Sequence, residues 1–221
     1  MIGLLWPMSG PVQITKERLG PLTVLRATVP PDRRRGLVRA CKRLSRKGVR
    51  RVLVHRQLED RSLSHGLVAV DPGPLYRHLA PNLALAALAA GDHSPDRAVV
   101  VLRSRETGGA LCRTARLLCP RVAQVRIEAE SGSDRVQEWL LRTFGMAADP
   151  NAPATLTLRL DGPDGGEDLY LDGPGARLGP VSLEGPGTEG VEEVDRHCLL
   201  CAFWQAGALF SENIGVKLLD K

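Results

Sequence analysis

Aromatic residues are scarce: three Trp, two Tyr and three Phe in 221 residues. Modules that read single-stranded nucleic acid stack bases on exposed rings, so that class of protein lacks its material here. A sugar-binding platform lacks it too. Lysine is equally sparse, five residues against 25 arginines. A chain rich in Arg, Ala, Gly, Pro and Leu follows a GC-rich genome, and codon usage accounts for part of the Arg excess. The cysteines are odd in number: Cys41, Cys112, Cys119, Cys198 and Cys201. A secreted disulfide scaffold is shorter and denser in Cys. Long apolar runs are missing as well. The longest, residues 83–90 and 199–209, fall short of the roughly 20 residues that span a bilayer. Residues 1–12 are partly apolar, but no basic segment precedes them and Pro7 interrupts them, unlike a secretory signal. The expectation is a cytoplasmic protein with no membrane partner. No internal repeat or heptad array occurs.

What is present is a charge gradient along the chain. Residues 1–60 carry 14 Lys+Arg against 4 Asp+Glu, residues 61–149 carry 11 against 9, and residues 150–221 carry 5 against 12. A basic front and an acidic back can attract each other within the fold or across a homodimer, or engage a partner protein. With codon usage behind part of the Arg excess, nucleic acid is not the partner expected.

The apolar pattern points to α/β architecture. Residues 22–28 read as a first strand. Pro30 and Pro31 break it, and Asp32 can cap the helix that follows. Over residues 33–47, Leu37, Val38, Cys41 and Leu44 recur at helical spacing, opposite Arg35, Arg39, Lys42, Arg43 and Arg46. Three short aliphatic runs, at residues 52–54, 67–70 and 98–102, are continuous rather than alternating, as strands covered on both faces are. Helical stretches separate them, notably residues 75–90. Alternation of this kind requires right-handed crossovers and predicts a layered fold with the three runs side by side in one mostly parallel sheet. The third run extends as a strand over 97–103, a further strand is expected at 122–129, and further helices at 110–118 and 134–144. From Asn151 the texture changes: residues 155–160 and 168–172 alternate and 181–184 follows, which reads as a small antiparallel meander. A buried helix over 191–210 closes the chain. The whole, residues 1–221, reads as one domain, subdivided if at all into a basic part at 1–91 and a second part at 92–221.

Four constellations bear on chemistry. The first follows the strand at 98–102, in the loop Ser104-Arg105-Glu106-Thr107-Gly108-Gly109. A buried strand, a turn with glycines and a helix start together form an anion pocket of unpaired backbone N–H groups. Arg103 and Arg105 add charge, Ser104 or Thr107 can cap the helix or bond a ligand, and Glu128 and Glu130 follow about twenty residues later. Residues 97–130 thereby resemble the first β-α-β unit of Rossmann-type nucleotide-binding proteins. That resemblance implies a Rossmann-like fold binding a nucleotide or other anionic metabolite through Ser104, Arg105, Thr107, Gly108, Gly109 and Glu128. The family's glycine fingerprint is absent: Ser104 and Glu106 stand where small glycines belong, and Glu106 repels a pyrophosphate.

The second constellation is Cys198 and Cys201, a Cys-x-x-Cys pair that can hold zinc or exchange disulfides. Zinc needs two more ligands and no second pair is present, so buried core thiols are expected and no metal is assigned. Third, no serine sits in a Gly-x-Ser-x-Gly elbow, and the strand-end residues His55 and Asp71 assemble no triad, so catalytic residues remain unassigned. Fourth, the acidic turn 161–168 lacks the ligand spacing of a calcium loop. Two alternatives stand beside anion binding: a non-catalytic scaffold acting through protein contacts, and nucleic-acid binding through the basic helix at 33–51. No enzyme class and no required cofactor follow from these residues.

Overall fold

The computed structural model describes residues 1–30, 34–161, 169–172, 176–189 and 191–219. Two expectations lie outside them, the Asp32 cap and most of the acidic turn at 162–168. The chain forms two compact units, one from residues 1–72 with 184–215 and the other from residues 73–183 with 216–221. The expected subdivision at residues 91–92 lies within the second unit, in the turn after its first helix.

In the first unit, strands β1 (Ile2–Pro7), β2 (Ile14–Leu19) and β3 (Leu22–Val29) precede helix α1 (Arg34–Arg46), β4 (Arg51–Val54) and β5 (Val68–Ala69). The sheet order is β2-β3-β1-β4-β5. β1 is the central strand, parallel to β3 on one side and to β4 on the other. β2 returns antiparallel onto β3 through a two-residue turn at Gly20 and Pro21. Gly20 has φ +52°, and a Cβ there would lie 2.7 Å from the Gly187 carbonyl oxygen, so no other residue fits. The α1 periodicity is as expected: Leu37, Ala40, Cys41 and Leu44 are buried with Leu5, Ala27, Val29 and Val52 of the sheet. Leu4, Val24 and Leu53 are also buried but have the opposite pleat parity, so a second layer covers the other face. Helix α5 (Arg196–Gln205) touches β4 and buries Leu199, Leu200, Cys201, Ala202 and Phe203. The two leucines and Phe203 each contribute about 1.5–3 kcal/mol when removed from water.

The second unit contains α2 (Gly73–Ala90), β6 (Val99–Glu106), α3 (Gly109–Leu118), β7 (Gln124–Ser131), α4 (Ser133–Phe144), β8 (Leu156–Arg159) and β9 (Leu169–Tyr170). Its sheet runs β7-β6-β8-β9, parallel throughout. The α/β class and the parallel pairing expected from the sequence therefore stand, with a small antiparallel sheet of β10 (Val181–Glu184) and β11 (Gly215–Leu218) beside them.

Three details differ. The aliphatic runs at 52–54 and 67–70 share a sheet, but 98–102 belongs to another, so no crevice is lined by all three strand ends. A continuous apolar run reports burial on both faces, and it carries no information about which strand lies alongside. The expected meander is also redistributed. Strands β8 and β9 extend the parallel sheet, and only 181–184 enters the antiparallel one. Alternation in β8 does mark unequal faces, since Leu156 and Leu158 are buried while Thr157 and Arg159 are half-buried, but face inequality does not set strand direction. The closing helix is shorter than 191–210, because Asp195 caps it and it ends at Gln205.

Candidate functional site

Strand order in the second unit reverses between β6 and β8: β6 continues to β7 on one side, and β8 to β9 on the other. Diverging connections leave a crevice at the carboxyl ends of such strands, where open α/β sheets hold ligands. A cleft of about 430 Å³ lies there, lined by Arg103, Ser104, Arg105, Glu128, Glu130 and Arg159 among others. It is in the size range of small-molecule sites.

The segment expected as a loop is mostly strand. Ser104 pairs with Ala129 and Glu106 with Ser131, so β6 carries its ladder four residues beyond the last apolar side chain, Leu102. Polar side chains at a strand's end end the burial without ending the pairing. Only Thr107 and Gly108 remain between β6 and α3. Gly108 caps α3 in an extended conformation (φ −82°, ψ 175°) with no side-chain cap bond. A Cβ on Gly108 or Gly109 meets nothing within 4 Å, so neither glycine is demanded by backbone geometry. Thr107 covers Gly132 at the start of α4, where a Cβ would come 2.5 Å from its Oγ1. Ser104, Arg105 and Glu128 thus meet in the cleft, whereas Thr107, Gly108 and Gly109 are not among its lining residues.

The charges inside the cleft are largely committed. Arg103 Nε donates to Glu128 at 2.7 Å and Arg126 Nε donates to it at 3.0 Å. Partial burial pushes the Glu128 carboxyl up, but the hydrogen bond and charge of Arg103, followed by those of Arg126, outweigh it and hold the group below the usual range. The Arg105 backbone N–H donates to both carboxylate oxygens of Asp161 at 2.9 Å. The Ser104 hydroxyl lies 2.8 Å from an Asp161 oxygen and 2.8 Å from the Glu106 carbonyl. The strand-end amide that a phosphate would seek is therefore held by this chain's own carboxylate. Exposed Arg105 and Glu130 and half-buried Arg159 complete the lining. Sequence reasoning passed over Arg159 and Asp161. Arg159 is the last residue of an alternating strand expected to pair antiparallel, and Asp161 stands in an acidic turn that the sequence weighs only against a calcium loop.

The Cys-x-x-Cys pair sits in the first unit, nearer a helix start than its apolar surroundings suggested. Asp195 caps α5 by accepting the Cys198 N–H at 2.8 Å. Burial first, then the charge and hydrogen bond of Asp195, push the Cys198 thiol well above its usual range. The Cys201 thiol donates to the Asp71 carbonyl at 3.2 Å. Burial lowers His197, with Asp195 opposing. A redox pair needs a depressed thiol, and here burial, joined by the Asp195 carboxylate, reverses what a helix N-terminus would give. No cluster of three or more His, Cys, Asp or Glu arranged to hold a metal occurs among the described residues. At the end of β4, His55 is buried; its Nδ1 accepts the Gln57 N–H, and its ring meets Trp6 edge-on at 4.7 Å.

No protein-family model matches this chain. No curated protein matches it either. Among solved structures, L-tryptophan dehydrogenase from Nostoc punctiforme is similar at 14% identity with a TM-score of 0.33, covering 72% of this chain. The match spans 55% of that enzyme's length. No helix among the described residues is long and apolar enough to cross a membrane.

Proposed function

We propose that the second unit binds a small anionic metabolite, nucleotides included, in the crevice between the ends of β6 and β8. The observation that supports this most is the reversal of strand order at that point, with a cleft of ligand size directly over it. The chemistry differs from the backbone cradle expected from the sequence. Asp161 occupies the Arg105 amide, so side chains rather than main-chain N–H groups meet the anion. The guanidinium group of exposed Arg105 serves that role, since a planar fork matches a phosphate or carboxylate. Glu128 is engaged by two arginines, so Glu130 is the carboxylate available to a ligand hydroxyl. Nothing in this reading requires the unit to be an enzyme.

Thermal unfolding against a panel of nucleoside mono- and diphosphates, inorganic phosphate and simple dicarboxylates tests it. A ligand at 100 times its dissociation constant adds about 2.7 kcal/mol of stability. The Arg105→Ala variant should lose that gain while melting like the parent without ligand. A flat response across the panel, or a gain that survives Arg105→Ala, overturns the proposal.

A further inference from the structure

The first unit carries a second feature, independent of the crevice. Helix α1 presents Arg35, Arg39, Lys42 and Arg46 at spacings of four, three and four, a single stripe about 17 Å long. All four are exposed. The opposite face, with Leu37, Ala40, Cys41 and Leu44, is buried against the sheet, so packing fixes the stripe outward. Lys47 and Arg50 prolong the charge past the helix end. Between Asp32 and Glu59 the sequence has no acidic residue. Among the described residues none of the four stripe cations has an acidic partner.

Helix stability accounts for only part of this arrangement, since Arg46 in the last turn suits the helix dipole and the other three do not depend on it. Like charges three and four residues apart cost a few tenths of a kcal/mol per pair. Arg34 and Arg35 also stand in the first turn, where the helix dipole disfavours cations. Codon usage explains Arg in place of Lys. It does not explain the removal of every acid, because Asp and Glu have GC-ending codons too.

We infer that the α1 face is a docking surface for the phosphate backbone of double-stranded nucleic acid, bound without regard to sequence. A rigid row of cations fixed on a packed helix suits the regular charge of a duplex. No Trp, Tyr or Phe occurs between Trp6 and Tyr76, so α1 and the segments beside it in sequence bring no Trp, Tyr or Phe on which to stack unpaired bases. An anionic membrane is the poorer fit. The apolar face that would enter a bilayer is already spent in the core, leaving Val38 as the exposed apolar side chain of the helix. This revises the expectation drawn from composition, which weighed how many arginines there are and not where they stand.

The test is fluorescence anisotropy of the full chain with a labelled duplex of arbitrary sequence, across a salt series. Four to six phosphate contacts predict a slope of log K against log salt of about −4 to −5. The quadruple variant R35Q/R39Q/K42Q/R46Q should weaken binding by at least about 100-fold at about 0.1 M salt and flatten the slope by about 3.6. Arg43 is left in place because its Nη1 donates to the Val12 carbonyl at 2.6 Å and so supports the fold. R121Q/R135Q removes exposed charge in the second unit and should leave binding unchanged. Melting temperature confirms that each variant folds. The inference fails if the duplex does not bind, if R121Q/R135Q weakens binding as much as the stripe variant, if single strands bind more tightly, or if phosphatidylserine vesicles retain the protein and the duplex does not.

Discussion

Glu128 shows how a side chain at a strand end can stop being available to a ligand. Its two oxygens accept from Arg103 and Arg126, and its folded-state pKa lies below the ordinary 4.5. A depressed carboxyl stabilises the fold above its unfolded pKa, and that contribution vanishes as pH falls through the folded value. Glu128→Gln should therefore lower the urea midpoint at about pH 7, and that deficit should shrink as pH falls below the ordinary carboxylate range and through the lowered folded value. Because the side chain is 35% exposed, the effect at neutral pH stays below about 1 kcal/mol. A deficit that grows toward acid contradicts the assignment. The sequence offers Ser104 and Arg105 as a loop after the aliphatic run at 98–102 and Glu128 by its spacing from Gly108 and Gly109, and all three line the cleft. It did not identify Asp161, which bonds Ser104 across 57 residues, since no local pattern announces so distant a partner.

Among the elements, β7 shows how an edge strand is finished. It pairs with β6 on one side only. On the other, Gln137 of α4 accepts the Ile127 N–H and donates to the Val125 carbonyl, both at 3.3 Å. One turn earlier, the Ser133 hydroxyl lies 2.8 Å from the Ala129 nitrogen and 2.9 Å from its carbonyl. Two helical side chains thus take the place of a further strand and keep another chain from pairing there. Gln137→Ala should cost about 1–2 kcal/mol of stability by urea unfolding. It should also produce concentration-dependent association in sedimentation velocity. A strictly monomeric variant of parental stability would show that the amide is incidental. At this scale the helices were the legible part: α1 and α4 have clear apolar stripes bounded by Gly48 and Gly145. β1 was missed although it is the central strand of its sheet. Six residues ending in Pro7 look like a fragment until β3 and β4 are seen on either side of it.

At the scale of the molecule, the first unit is assembled from two stretches far apart in sequence. The Arg56 N–H donates to the Glu193 carbonyl, His55 bridges Val194, and the Cys201 thiol reaches the Asp71 carbonyl. Residues 1–72 made alone should therefore lack a cooperative melt by circular dichroism. Joining residues 184–215 to them through a Gly/Ser linker should restore one. A sharp transition in the short fragment would mean that α5 is dispensable. Composition could not reveal this division, because a covered strand reads the same whether its cover lies ten residues away or a hundred.

That nesting also sets an order of events at the ribosome. The chain emerges with β1 to β5 first, but the helix that shields their second face is synthesised after nearly the whole of the second unit. Leu53 on β4 must wait, wetted or chaperoned, while the later-made unit completes its own core around β6, so the unit made earlier closes its core after the one made later.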